Sequence, residues 1–114
     1  PAVNKVLYPG LASNEYNEVA SKQFNGLYGG ILSFEVQDKE TAYKLQNHLQ
    51  LIRRATNLND NTSLIIHPAA TIYCEYTAEQ KEEIRFTDGL LRLSVGIEDV
   101  EDLINDLDQA LRSL

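Results

Sequence analysis

The sequence predicts an α+β domain: a small, mostly antiparallel sheet of about four strands with helices packed on one face. Residues 3–8, 30–36 and 90–95 alternate with the two-residue period of strands. Three further segments each carry one apolar stripe at helical spacing, the pattern of helices buried against one side of a sheet. The connections are short, which favours antiparallel pairing for part of the sheet. A chain of 114 residues makes one domain and can bury a single core without disulfide or metal staples.

The first strand, 3–8, puts Val6 and Tyr8 on one face and Val3, Lys5 and Leu7 on the other. Pro9-Gly10 ends it, because proline cannot extend a ladder and glycine permits a turn. Ser13 stands where an N-cap belongs, and Tyr16, Val19, Ala20 and Gln23 are at helical spacing, which predicts a helix over 14–24. The glycine-rich turn 25–30 opens a strand, whereas phosphate-cradling glycine loops open a helix. In that strand, Gly30–Val36, Leu32, Phe34 and Val36 share a face. Asp38 caps a helix whose stripe is Ala42, Leu45, Leu49 and Ile52, with His48 at the surface or its boundary.

Residues 54–58 suit a strand, 59–62 a polar turn and 63–66 a short strand. His67 precedes Pro68 and is thereby pushed into extended geometry, which could serve a site or merely end the strand. Residues 71–76 alternate too weakly to assign. Thr77 and Gln80 fit a capping box opening a short helix to Ile84, its charged face solvated. Asp99 caps the last helix, with the stripe Val100, Leu103, Ile104, Leu107, Ala110 and Leu111.

The stretch from Asp88 to Asp99 holds the candidate site. Leu91, Leu93 and Val95 share one face of their strand, and Leu90, Arg92 and Ser94 the other. An arginine between leucines is costly to bury unless an anion meets it. Its planar guanidinium suits a carboxylate or phosphate through two parallel hydrogen bonds. From pattern alone both an internal ion pair and a ligand site stand open. With Leu91, Leu93 and Val95 on the packed side, Arg92 looks out of the other face.

Composition excludes several classes. Seventeen acidic residues against ten basic give a net charge of −7, opposite to a binder of the nucleic-acid backbone. A single cysteine, Cys74, cannot form an internal disulfide and reads as a small buried hydrophobe in a reducing compartment. With only His48 and His67 beside it, a typical zinc site is not expected. No apolar run approaches the roughly 20 residues that span a bilayer, and no signal peptide opens the chain, so no membrane partner and a cytoplasmic location are expected. The chain begins Pro-Ala-Val-Asn and lacks methionine throughout, so an initiator was removed or the chain is part of something longer.

Five motifs, taken together and in order, resemble a known family. They are Val6-Leu7-Tyr8-Pro9-Gly10-Leu11, Lys22-Gln23-Phe24, Gly29-Gly30-Ile31-Leu32-Ser33-Phe34, Ile66-His67-Pro68-Ala69 and Leu91-Arg92-Leu93-Ser94-Val95-Gly96-Ile97-Glu98. Over essentially all 114 residues the chain is similar to the C-terminal domain of the Cys/Met-metabolism pyridoxal-phosphate enzymes. That family includes cystathionine synthases and lyases, methionine gamma-lyase and O-acetylhomoserine sulfhydrylase. Asn57-Leu58-Asn59-Asp60 followed by Ser63-Leu64-Ile65-Ile66-His67-Pro68 resembles the Asn-x-Gly-Asp…Ser-Leu-x-Ile-His-Pro run of the sulfhydrylases. Asn59 stands where glycine is expected, so the local turn is expected to differ. Ser13-Asn14-Glu15-Tyr16-Asn17 replaces the usual Ser-His-Pro-x-His, and Ile72-Tyr73 the usual Thr-His.

The resemblance implies the small C-terminal domain (1–114) of a fold-type I enzyme, without the large cofactor-binding domain. A lysine of that larger, preceding domain forms the Schiff base with pyridoxal phosphate, and the cofactor is the electron sink. Arg92 then binds the alpha-carboxylate of a small amino-acid substrate, and Asn57 helps hold it. No lysine here, at 5, 22, 39, 44 or 81, lies in a family Schiff-base motif. The isolated chain is therefore expected to be inert and the full-length parent a homotetramer. His67-Pro68 is expected to shape the backbone behind the site rather than do chemistry, because its neighbours Ile65 and Ile66 are apolar and the proline fixes the turn. The activity implied is an O-acetylhomoserine sulfhydrylase, making homocysteine and acetate from O-acetylhomoserine and sulfide. Alternatives are methionine gamma-lyase, a cystathionine gamma-synthase or lyase, and a stand-alone non-catalytic binding domain.

Overall fold

The computed structural model describes residues 2–84 and 86–114. Five strands form one sheet in the order β1-β2-β5-β4-β3: β1 Lys5–Leu7, β2 Ile31–Glu35, β3 Arg53–Arg54, β4 Leu64–Ile66 and β5 Leu90–Ser94. Three of the four pairings are antiparallel, and β3 runs parallel to β4. The α+β class and the mostly antiparallel sheet are as the sequence implied.

The apolar alternation sets the register. Phe34 pairs with Leu91, Leu32 with Leu93, and Ile65 with Leu93 from the far side, so these side chains share one face. Two helices cover that face, α2 (Lys39–His48) and α4 (Val100–Arg112). Ala42, Leu45, Leu103 and Ala110 from them join Phe34, Ile65, Leu91 and Leu93 in the core. Leu45, Ile65 and Leu91 are fully enclosed, each contributing roughly 1.5–3 kcal/mol of transfer free energy. Asp38 and Asp99 cap the two helices as expected, accepting from Thr41 N and Glu101 N.

Several elements differ from expectation. The strand placed at 54–58 is the two-residue β3, because only Arg53 and Arg54 find partners, in Leu64 and Ile65. The second helix stops at His48, and Ile52 reaches the core from the turn beyond it. The last helix is rolled so that Leu103, Asp106 and Ala110 face inward, leaving Val100 and Ile104 more than half exposed. The first helix, α1 (Asn17–Phe24), starts after a run of turns. Ser13 does not cap it; Asn14 Oδ1 accepts from Tyr16 N instead. Of its stripe only Ala20 is buried.

The segment after β4 lies over the sheet's second face. Pro68–Ala70 form a single 3-10 turn, and α3 (Ala78–Glu83) opens with the expected capping box of Thr77 and Gln80. Between them Tyr73 packs edge-on against Tyr76 and Phe86, at 5.0 and 4.7 Å between ring centres. Cys74 is exposed, contrary to the buried hydrophobe expected: in this stretch the half-buried position is taken by Tyr73, whose ring meets Phe86, and the side chain that follows it is left at the surface. Gly89 stands in the turn just before β5 because nothing larger fits: a Cβ there would stand 2.1 Å from the Val36 carbonyl oxygen.

Candidate substrate-anion site

The second face of the sheet carries a row across four strands: Leu7, Ser33, Arg92 and Ile66, each paired with the next. Arg92 stands in the middle of this row, half-buried and on the opposite side from the core. One of its five N–H donors, on Nη2, reaches the Thr56 carbonyl at 3.3 Å. The ion pairs among the described residues are Lys22–Glu18 and Arg112–Asp108, both within helices. The internal ion pair left open for Arg92 is thus not made among them, and the guanidinium is available to an anion.

Arg92 borders a cavity of about 420 Å³ that also involves Ser33, Glu15, Ile72, Tyr73 and Phe86. Glu15 and Ile72-Tyr73 belong to the two segments whose sequence departs from the family pattern. They lie 57 residues apart in the chain, and the fold brings both to the cavity with Arg92.

Asn57 lies on the exposed loop between β3 and β4, one residue beyond the carbonyl that Arg92 contacts. Its Nδ2 donates to Asp60 Oδ2 at 3.2 Å, so its amide is engaged within the loop. Asn59 has φ of 54°, the left-handed conformation that glycine favours and asparagine tolerates. Asparagine in place of the expected glycine therefore does not exclude a glycine-type turn.

His67 is 2% exposed and extended, with φ −101° and ψ 96°. Its Nε2 lies 2.6 Å from the Asp88 carbonyl, which makes that nitrogen the proton donor. Tyr43 packs edge-on against its ring. His67 thus ties the end of β4 to the turn that opens β5, a backbone-shaping contact. His48 is exposed, its Nδ1 2.7 Å from the Lys44 carbonyl. No group of three or more histidine, cysteine or acidic side chains among the described residues could hold a metal ion.

Two hydrogen-bonded carboxylates, the buried Asp106 and the half-buried Glu98, escaped the sequence reading. Asp106 accepts from three successive backbone N–H groups, Gln50, Leu51 and Ile52, at 2.8–3.0 Å, and from Gln109. Burial pushes its carboxyl up, but these bonds outweigh it and hold the pKa below the ordinary 3.8. Glu98 accepts from Ser63 N and Oγ at 2.6 and 2.7 Å. Its carboxyl is likewise raised by desolvation and lowered more by the Ser63 bonds, to below 4.5.

The geometry defines a class: a small α+β domain whose mid-strand arginine makes no ion pair among the described residues and borders a cavity beside an asparagine-bearing loop. The profile of the Cys/Met metabolism PLP-dependent enzymes matches residues 1–112, and the chain belongs to that family. It is 44% identical over its whole length to an L-methionine gamma-lyase of Fusobacterium nucleatum subsp. polymorphum, of which it covers 29%. It superposes with a TM-score of 0.92 and 40% identity on a protein assigned as the O-acetylhomoserine (thiol)-lyase of Campylobacter jejuni, which carries a pyridoxyl-lysine phosphate adduct. That match covers 98% of this chain and 27% of the other. The O-acetylhomoserine sulfhydrylase of Wolinella succinogenes matches with a TM-score of 0.83 and 41% identity, over 97% of this chain and 29% of its own. The chain thus spans under a third of the length of these relatives.

The family depends on pyridoxal phosphate, but the described residues do not fit that cofactor. Lys22 is paired with Glu18, Lys39 sits over the Tyr43 ring, and Lys44 reaches the Leu114 carbonyl. Lys5 and Lys81 border an open, acid-lined hollow with Glu35, Glu82 and Asp88. None is enclosed in the dry setting that makes lysine a nucleophile. The glycines at 26, 29 and 30 precede a strand, so they offer no phosphate-binding helix N-terminus.

Proposed function

We propose that this chain is the C-terminal, substrate-carboxylate-binding part of a pyridoxal-phosphate enzyme that makes homocysteine and acetate from O-acetylhomoserine and sulfide. The observation that carries the reading is Arg92, unpaired with any described carboxylate at the rim of its cavity. Two parallel N–H···O bonds from its guanidinium would hold the alpha-carboxylate and fix its plane. Asn57, on the neighbouring loop, is the second donor once its bond to Asp60 is exchanged for the substrate. Holding the carboxylate at two points orients the rest of the amino acid and lowers the entropic cost of reaction. In this reading the cofactor and its lysine belong to the part of the protein outside this chain.

The choice of a sulfhydrylase rests on the Asn57–Asp60 and Ser63–Pro68 run and on the two O-acetylhomoserine enzymes among the structural neighbours. Gamma-elimination from methionine is the second reading, favoured by the 44% identity to a methionine gamma-lyase. Turnover of O-acetylhomoserine with sulfide, against methionine and cystathionine, by the full-length protein separates the two.

Arg92→Ala tests the clamp. Losing two charge-assisted hydrogen bonds, each contributing about 1.5–3 kcal/mol, should weaken substrate binding at least a hundredfold and leave cofactor absorbance nearly unchanged. Unaltered substrate affinity in that variant removes Arg92 from the site.

A further inference from the structure

The chain from Arg92 to Glu98 grips the 56–63 loop at every second residue. Arg92 donates to Thr56 O, Ser94 Oγ accepts from Asn59 N at 3.1 Å, and Gly96 N donates to Ser63 Oγ at 2.8 Å. Glu98 then takes both Ser63 donors, and Ile97 N adds a bond to Asn61 O at 2.9 Å. Alternate residues of a strand point the same way, so the spacing that presents Arg92 also presents Ser94. Ser63 and Ser94 are 0% and 2% exposed, and water cannot replace their bonds once lost. Gly96 leaves no slack: a Cβ there would stand 2.3 Å from Asn61 O and 2.6 Å from Glu98 Oε2. Among the described residues the Asn57 side chain bonds to Asp60 and not to β5. Its place relative to Arg92 is inherited from these contacts.

We propose that Ser94, Ser63 and Glu98 are positioning residues, which lock the 56–61 loop to β5 so that Asn57 and Arg92 meet one carboxylate. The inference rests on the clamp reading above and deepens it. It assigns Ser94 and Glu98 a function carried through Asn57, without contact to the substrate.

The test uses the full-length protein and reads KM, kcat, cofactor affinity and Tm. Ser94→Ala should raise KM for the amino-acid substrate about tenfold with kcat changed less than twofold, and Ser94→Thr, which keeps the acceptor oxygen, should restore it. In an Asn57→Ala background the same Ser94→Ala change should add less than twofold, because nothing remains to be positioned. Glu98→Gln, which turns an amide toward the Ser63 donors, should raise KM likewise and gives the same readout if Ser94→Ala does not fold. A lowered Tm with KM within twofold of the parent would make these residues merely structural and overturn the inference. Arg92→Ala is measured alongside. If its KM rises while those of Ser94→Ala and Glu98→Gln do not, the positioning role fails and the clamp stands. An unchanged KM in Arg92→Ala removes the clamp, and the inference with it.

Discussion

Asp106 shows how much a single side chain can hold. It is 6% exposed and collects the N–H groups of Gln50, Leu51 and Ile52, the turn between α2 and β3, onto α4. Such a ring of successive backbone donors favours the ionised form. Asp106→Asn replaces one acceptor oxygen with a donor facing these groups and should cost about 2 kcal/mol or more, read by urea unfolding at pH 7. The sign of the pH dependence follows from the lowered pKa. Stability from Asp106 and Glu98 is fully present above their unfolded values near 4 and is lost as pH falls through the lower folded values. The asparagine variant should therefore lose less stability between about pH 4 and pH 2 than the parent; parallel curves would count against the assignment. Arg92 was legible because a charge among leucines contradicts its surroundings. Asp106 and Glu98 were not, since each sits among acids that read as a solvated face and finds its partners 54 and 35 residues away. Asn57 entered only through the family resemblance, as nothing in its own surroundings sets it apart from a turn residue.

Among the elements, the strands with clear alternation, β1, β2 and β5, and three of the helix caps were read correctly, whereas the cap at Ser13 and the strand at 54–58 were not. The caps at Asp38, Thr77 and Asp99 are set within three residues of sequence. β3 depends on where β4 offers a free edge, so its two-residue length could not be seen in 54–58. α1 illustrates the same limit: its pattern is amphipathic, yet Val19 and Phe24 are about half exposed and Leu27, just beyond it, is 79% exposed. A helix of eight residues with one buried side chain and no side-chain cap at Tyr16 has little to hold it. Its amides should exchange with deuterium well before those of α2 and α4, whose faces are in the core. Equal protection across the three helices would show that α1 is held by more than the contacts seen here.

For the molecule as a whole, the core and the proposed chemistry divide differently. The core cluster, from Phe34 and Val36 through Leu45 and Ile65 to Leu103 and Ala110, is closed by residues of this chain alone. Helices α2 and α4 on one face of the sheet, and residues 68–73 with Phe86 on the other, bury every residue of β5 but Arg92. The 114-residue chain should thus fold by itself, giving a single cooperative urea transition with coincident circular dichroism and tyrosine fluorescence. The site is not closed in the same way: Arg92 looks into an open cavity, and none of the described residues suits the cofactor. The folded chain, supplied with pyridoxal phosphate, O-acetylhomoserine and sulfide, should form no homocysteine, while the full-length protein under the same conditions should. A cooperative transition together with no turnover is the outcome expected if this chain folds by itself and the proposed carboxylate clamp works with a cofactor held elsewhere. Homocysteine formed by the isolated chain would place the cofactor lysine among its own five and overturn the division between binding here and chemistry elsewhere.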